Sequence, residues 1–436
     1  MTSYRRPAVL VPLSLLLLAA GTRLWGLSSP AMPYWDEQHY VYDANAYVGG
    51  GYGLDVGTPP SVRIADEGTW IHPPLGKWMI ALLGIGPFGL TPFGWRFPSA
   101  VFGVAGVMLL YLFALELWRS VWWAGFAGGL LLVDGLHVVH SRLAMLDIFL
   151  TTFVTAGMFF IVRHRTRRVR DVEQHGGIVR WFGSTDLLMA GVMFGAAVAT
   201  KWAGCFAAAF AFLLALAWSR TDRAEGEDRL AWIRITLALL VVPIVVYLGS
   251  YAVFFVQHGP DLRAFGILQL EMLEYHQQHT QVQPQNSAPW TWPLLLHPIQ
   301  YYGAERTTAV ARILALGNPA LWWGFIAATA AAAVTVRRRP CWQDVVAFGG
   351  FAALYVPWFF VGRSQFIFYM LPAVPFMCLA VVSTIRHLPG SARRVVGMVF
   401  GLAVVLAALA YAPVWTGTWI GRGWLERLRV VPGWDI

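Results

Sequence analysis

Long apolar runs recur from one end of this sequence to the other, and they limit its possible folds more than any other feature. The first runs from Ala8 to Leu27. Ten more follow at about 96–117, 122–139, 145–162, 185–200, 202–218, 233–256, 317–336, 344–361, 366–385 and 395–413. A helix needs about 20 apolar residues to cross a bilayer. Inside hydrocarbon every backbone N–H and C=O must be paired, which a helix achieves within its own segment. The runs are too continuous for the short alternating strands of an outer-membrane barrel. They predict an all-α polytopic membrane protein of about eleven transmembrane helices, forming a single integral membrane domain over residues 1–436. Only 13% of the residues are charged, against about 25% in soluble domains. That excludes a soluble enzyme, a secreted disulfide scaffold and a disordered chain.

The net charge is +9. Of the 32 basic residues, all but Lys77 and Lys201 are arginine, and they gather at the ends of apolar runs. This placement reads as membrane topology and not as a nucleic-acid surface. The run RHRTRRVR at 163–170 fixes its loop on the cytoplasmic side, which puts the N-terminus in the cytoplasm and the C-terminus outside. A cleaved signal peptide would also begin with Arg5, Arg6 and an apolar run. The length of the run, and the lack of a small-x-small site before Arg23, favour a retained first span. Three polar stretches then fall on the extracytoplasmic side: 28–94, 257–316 and the tail 414–436. The first holds Asp36, Glu37, Asp43, Asp55, Asp66 and Glu67, with one or two helices expected at the interface. Cys205, Cys341 and Cys378 match no metal spacing, so neither a structural disulfide nor a zinc site is expected.

Charged residues near the membrane are candidates for chemistry because they are costly there. Asp36 and Glu37 follow the first span in MPYWDEQHY, where a carboxylate could act as general base toward a hydroxyl. In Ile71-His72-Pro73-Pro74-Leu75-Gly76-Lys77, each proline stiffens the backbone and restricts the residue before it. Lys77 then opens a short helix. Arg96 begins the second span, where a guanidinium near a helix N-terminus could hold an anion. The connection 134–147 (DGLHVVHSRLAMLD) carries His137 and His140, which lack a third metal ligand at fixed spacing. It also carries Arg142 and Asp147, with Asp147 expected to pair with Arg142 or another cation. Lys201 and Arg363 sit at tight turns on the same side as Asp36. Three cations on one face suit a lipid phosphate. Taken singly, each could equally be a snorkelling anchor.

These strings occur in one order: Asp36-Glu37, HPPLGK (72–77), Arg96, the 134–147 segment, TKWAG (200–204) and GRSQFIFYMLPAVPF (362–376). Together they resemble the dolichyl- or polyprenyl-phosphate-mannose–protein mannosyltransferase family in its bacterial form. The resemblance covers residues from about 30 to 380. It implies the GT-C architecture and transfer of mannose from a polyprenyl-phosphate mannose to Ser or Thr hydroxyls of exported proteins. It also implies inversion at the sugar, no metal, no cofactor, and action at the outer face of a bacterial plasma membrane, with the secretion translocon as a further partner. Carried onto this chain, Asp36 would be the base, Glu37 would orient the reactants, and Arg96, Lys201 and Arg363 would bind the donor phosphate. Asp147 and Arg142 would brace the site, His72 would line the acceptor groove, and Lys77 would support the site. Eukaryotic members carry a β-trefoil insertion after span 7, for which the loop 257–316 is too short. They tend to have Tyr-His where this chain reads Tyr369-Met370. A related transferase moving another sugar to a lipid or glycan shares these features. A transporter is disfavoured because the charges collect at one face and no inverted repeat is visible.

Overall fold

The computed structural model describes residues 5–49, 71–175, 184–221, 228–278, 285–338, 341–432 and 434. The expected carboxylates Asp55, Asp66 and Glu67 lie outside the described residues. The chain is mostly helical. Seven helices among the described residues are long and apolar enough to cross a membrane. In chain order the elements used below are α1 (Arg5–Leu24), α2 (Glu37–Tyr47), α3 (Leu75–Phe88), α4 (Pro92–Trp118), α5 (Val121–Leu132), α6 (Gly135–His140) and α7 (Leu146–His175). They continue with α8 (Ser184–Val198), α9 (Gly204–Thr221), α10 (Ala231–Ser250), α11 (Leu262–Gln278), α12 (Pro319–Arg338), α13 (Trp342–Tyr355), α14 (Ile367–His387), α15 (Gly390–Thr416) and α16 (Arg422–Leu428).

Helix burial sorts the elements into a core and a lipid-facing rim. Of the apolar window in α14, 94% is buried, whereas only 11% is buried in α15. α14 packs between α12 and α13 and against α5, and its first turn meets α7. α15 leaves Met398, Val399, Leu402 and Leu409 exposed, and α1 does the same with Leu13, Leu16 and Leu17. Apolar faces of that extent mark contact with something non-aqueous; on a chain of membrane-length helices that is lipid. α8, α9 and α10 pack in sequence as a wall beside α7 and α13.

Each expected span has a helix in its range, with two corrections to the expected fold. The run 122–139 is interrupted. Asp134 leaves the helical conformation and caps α6 by accepting from His137 N–H at 3.0 Å. The same carboxylate accepts from Asn318 N–H at 3.1 Å and Trp322 Nε1 at 2.7 Å. Gly135 is required there, because a Cβ would sit 2.0 Å from the Trp415 ring. The second correction concerns the expected all-α fold, which includes a small antiparallel sheet in the order β1 (Ile299–Glu305), β2 (Ala309–Ala315), β3 (Ile420–Gly421). Alternation of buried and exposed residues along β1 is the strand signature,. A register shift between Gln300 and Tyr302 puts two adjacent tyrosines against the loop that carries Asp36. The described residues of the tail 414–436 also join the fold: they supply β3 and α16, and Trp434 Nε1 donates to Leu295 O at 2.7 Å.

Candidate active site

The corner that presents Asp36 is built from aromatic packing. Trp35 holds a left-handed φ of 55°, a conformation uncommon outside glycine. Its ring is fixed against Tyr301 at 5.3 Å and Phe366 at 6.3 Å. Reversing the chain there starts α2, with Asp36 as its N-cap residue and Glu37 in its first turn. The adjacent carboxylates then differ sharply. Glu37 is fully buried and accepts from Arg96 Nε and Nη2 at 2.9 Å each, from Ala144 N–H at 2.9 Å and from Tyr34 N–H at 3.4 Å. Asp36 is half-buried, and its side chain makes no capping bond to its own helix.

Arg96 meets a different arrangement from the expected phosphate contact. Besides its two bonds to Glu37, Nη1 donates to Leu27 O at 3.2 Å and Pro30 O at 2.6 Å, and Nη2 to Met32 O at 3.1 Å. A guanidinium has five N–H groups, and all five are committed to protein acceptors. Arg96 therefore ties the 27–32 loop to Glu37 and, through Ala144, to the 134–147 connection.

The cations that remain near Asp36 are Lys201 and Arg363. Lys201, between α8 and α9, donates to Asp147 Oδ2 at 2.8 Å. Asp147 thus pairs with Lys201 and not with Arg142. Arg363, between α13 and α14, lies 2.5 Å through Nη1 from His276 Nδ1 of α11, with its guanidinium 5.8 Å from the Tyr369 ring. Burial raises the Asp36 pKa above the usual carboxylate range, while Lys201, His39 and Arg363 oppose the shift,. His72 is pushed well below the usual imidazole range by burial, with Lys201 adding to the effect.

Lys201, Asp147, His72, His276, Arg363 and Tyr369 share one cavity of about 970 Å³. They form its polar end. The rest of its wall is largely apolar, built mainly from α9 and α10 with residues such as Ala208, Ala209, Phe212 and Ile244. The cavity thus joins a polar end with two basic side chains to an apolar stretch lined by two helices long and apolar enough to cross a membrane. His72, expected at an acceptor groove, lines this cavity.

Two supporting residues brace the scaffold. Arg142 donates to Thr22 O, Arg23 O and Trp25 O at 2.7–3.3 Å and so closes the end of α1. Lys77 is buried against Asp43 at 3.2 Å and locks α3 to α2. His137 and His140 do not converge. His137 Nδ1 lies 3.1 Å from Arg23 Nη2, and His140 is held between Leu136 O and the Tyr301 hydroxyl. Sequence reasoning placed Tyr301 among residues of the 257–316 loop that could select an acceptor, and gave Trp35 and Tyr369 no role at the site. The signal was the order Tyr34-Trp35 directly before the carboxylate pair.

Residues 13–257 match the family described as dolichyl-phosphate-mannose-protein mannosyltransferase, and residues 262–434 match the C-terminal four-helix region of protein O-mannosyltransferase. The chain belongs to the protein mannosyltransferase family. A polyprenol-phosphate-mannose–protein mannosyltransferase of Mycobacterium tuberculosis is 30% identical, over 95% of this chain and 90% of that protein. Among solved structures, the Saccharomyces cerevisiae Pmt1–Pmt2 complex bound to its sugar donor matches with a TM-score of 0.82 at 16% identity, covering 98% of this chain and 92% of that one. ArnT of Cupriavidus metallidurans bound to undecaprenyl phosphate matches with a TM-score of 0.58 at 16% identity, over 93% of this chain and 74% of that one. At those identities the structures speak to the fold alone. Membership in the mannosyltransferase family rests on the sequence matches, and it brings a glycosyltransferase reading to the site just described.

Proposed function

We propose that this chain transfers mannose from a polyprenyl-phosphate mannose to Ser or Thr hydroxyls of exported polypeptides. The site lies at the outer face of a bacterial plasma membrane in an eleven-span, N-terminus-in arrangement. One observation carries the reading: Lys201 and Arg363 line the polar end of an apolar cavity, and both act electrostatically on the half-buried Asp36 carboxylate, which makes no cap bond to its own helix. The apolar stretch lined by α9 and α10 takes the isoprenoid chain, and Lys201 and Arg363 take the phosphate. Asp36 accepts the proton of the acceptor hydroxyl as its oxygen attacks the anomeric carbon. The bond from that carbon to the phosphate oxygen breaks from the opposite side, so the configuration inverts. The leaving lipid phosphate gains negative charge, which the two cations stabilise; fixed groups of this kind are usually the largest catalytic contribution. The Asp36 proton is released to solvent after transfer. Glu37, held by Arg96, fixes the start of α2 and so the position of Asp36, and Asp147 holds Lys201 in place.

The test is reconstitution. Purified chain given polyprenyl-phosphate mannose and a Ser/Thr-rich peptide should add one hexose per modified hydroxyl, with one equivalent of polyprenyl phosphate released. Sugar appearing on a lipid or glycan while the peptide stays unmodified would reject the protein-acceptor reading.

A further inference from the structure

A second cluster of reactive side chains lies at the far ends of α13 and α14 from Arg363 and Tyr369. At ~1.5 Å per residue, roughly 20–30 Å of helix separates it from the cavity. Cys341 caps the start of α13, and Asp344 sits in its first turn. His387 is the last residue of α14. One Asp344 oxygen, Oδ2, receives the Cys341 thiol at 2.9 Å and the Cys341 N–H at 3.1 Å, and His387 Nε2 lies 3.0 Å from it. The thiol sulfur, the imidazole nitrogen and the carboxylate oxygen all lie within 4.8 Å of one another. Nothing in the transfer reaction uses them.

We propose that Cys341, Asp344 and His387 form a binding site for a divalent transition-metal ion, with zinc the best match, that clamps the end of α13 to the end of α14. Zinc takes a mixed sulfur, nitrogen and oxygen set with bonds of about 2.0–2.3 Å. Ligand atoms around it then stand about 3.3–3.8 Å apart, so the cluster needs little rearrangement to close on the ion. Binding releases the thiol proton to solvent, and the thiolate and carboxylate together balance the charge of the ion. The other carboxylate oxygen is already held by Ser383 Oγ at 2.5 Å, an outer contact of the kind that orients metal ligands. The neighbouring cation Arg386 turns onto Trp118, 5.2 Å from its ring. Cys341 and His387 are half-buried, which leaves a fourth position open to water. No zinc site is expected from cysteine spacing along the chain, because His387 follows Asp344 by 43 positions and only the packing of two helices joins them.

The full chain, purified in detergent and stripped with chelator, is dialysed against zinc alone and its metal content measured. One zinc per chain is expected, with affinity at least tenfold lower in Cys341→Ser and in His387→Gln. Cobalt should produce a thiolate-to-metal absorption band in the wild-type chain that Cys341→Ser abolishes. Mannosyl transfer by both variants should be unchanged, which also reports their folding. A wild-type chain that holds no stoichiometric zinc, zinc binding unaltered in both variants, or cobalt bound without a thiolate band would each overturn the proposal. The cobalt spectrum decides on the wild-type chain alone should a variant fail to fold.

Discussion

Replacing Arg96 with glutamine tests whether this cation holds the scaffold or the substrate. The wild-type side chain is fully buried and spends five N–H groups on Glu37 and three loop carbonyls. Removing one partner of a buried ion pair strands the other charge, at about 3–5 kcal/mol. Set against a total stability of about 5–15 kcal/mol, that is a large fraction, and the carbonyls of Leu27, Pro30 and Met32 lose donors as well. Arg96→Lys should recover little, since an ammonium has three donors and no planar fork. Glu37→Gln should cost a comparable amount, because it leaves the buried Arg96 charge unpaired and turns one accepting oxygen into a donor that faces N–H groups,. The assay pairs the thermal midpoint in detergent with KM values for donor and acceptor on the folded fraction. The expected outcome is a large fall in midpoint without a selective change in donor KM. An Arg96→Gln chain with wild-type stability and a raised donor KM would refute the reasoning and restore Arg96 as a phosphate ligand.

Lys201→Met and Arg363→Gln should each raise donor KM about 10- to 150-fold, the equivalent of one charge-assisted hydrogen bond of ~1.5–3 kcal/mol, with acceptor KM little changed. Steady-state kinetics with varied donor would show it, and unchanged donor KM in both would remove them from the phosphate site. Ala209→Trp should fill the apolar stretch, so donors with long isoprenoid chains lose rate while a short-chain analogue does not; equal loss for both would mean the chain lies elsewhere. For Asp36, burial raises the folded-state pKa. Its neutral form is therefore favoured in the fold, and the stability it contributes in acid is lost as pH rises from the ordinary carboxylate range through the raised value. Asp36→Asn should accordingly be at least as heat-stable as wild type at neutral pH, and transfer by wild type should decline as pH falls through that raised pKa. A destabilised Asp36→Asn chain would contradict this sign.

Much of this arrangement was legible from residue patterns. The apolar runs located the helices because hydrocarbon forces backbone pairing within each segment. The pair Asp36-Glu37 and the turns at Lys201 and Arg363 stood out because charge beside hydrocarbon is rare. Patterns could not divide labour among the cations. Whether Arg96 is free or consumed depends on the carbonyls of Leu27, Pro30 and Met32, which approach it through loop geometry with no sequence signature. The partner of Asp147 was likewise a matter of which turn, 142 or 201, comes within reach. Asp134 stood both at the end of the run 122–139 and at the start of the connection 134–147, and no pattern showed that it caps a short helix and anchors Asn318 and Trp322, nearly two hundred residues on. The β1–β2 hairpin hid in a loop rich in Gln and Tyr, where its alternation is short and interrupted by a bulge.

The most direct measurement compares Asp36→Asn with wild type in single-turnover transfer from polyprenyl-phosphate mannose to a Ser/Thr peptide, with donor binding followed in parallel. A positioned general base contributes about 10²–10⁴ in rate. The account predicts a loss in that range with donor affinity within a few fold of wild type. Transfer by Asp36→Asn at the wild-type rate, or a loss explained wholly by weaker donor binding, would contradict it.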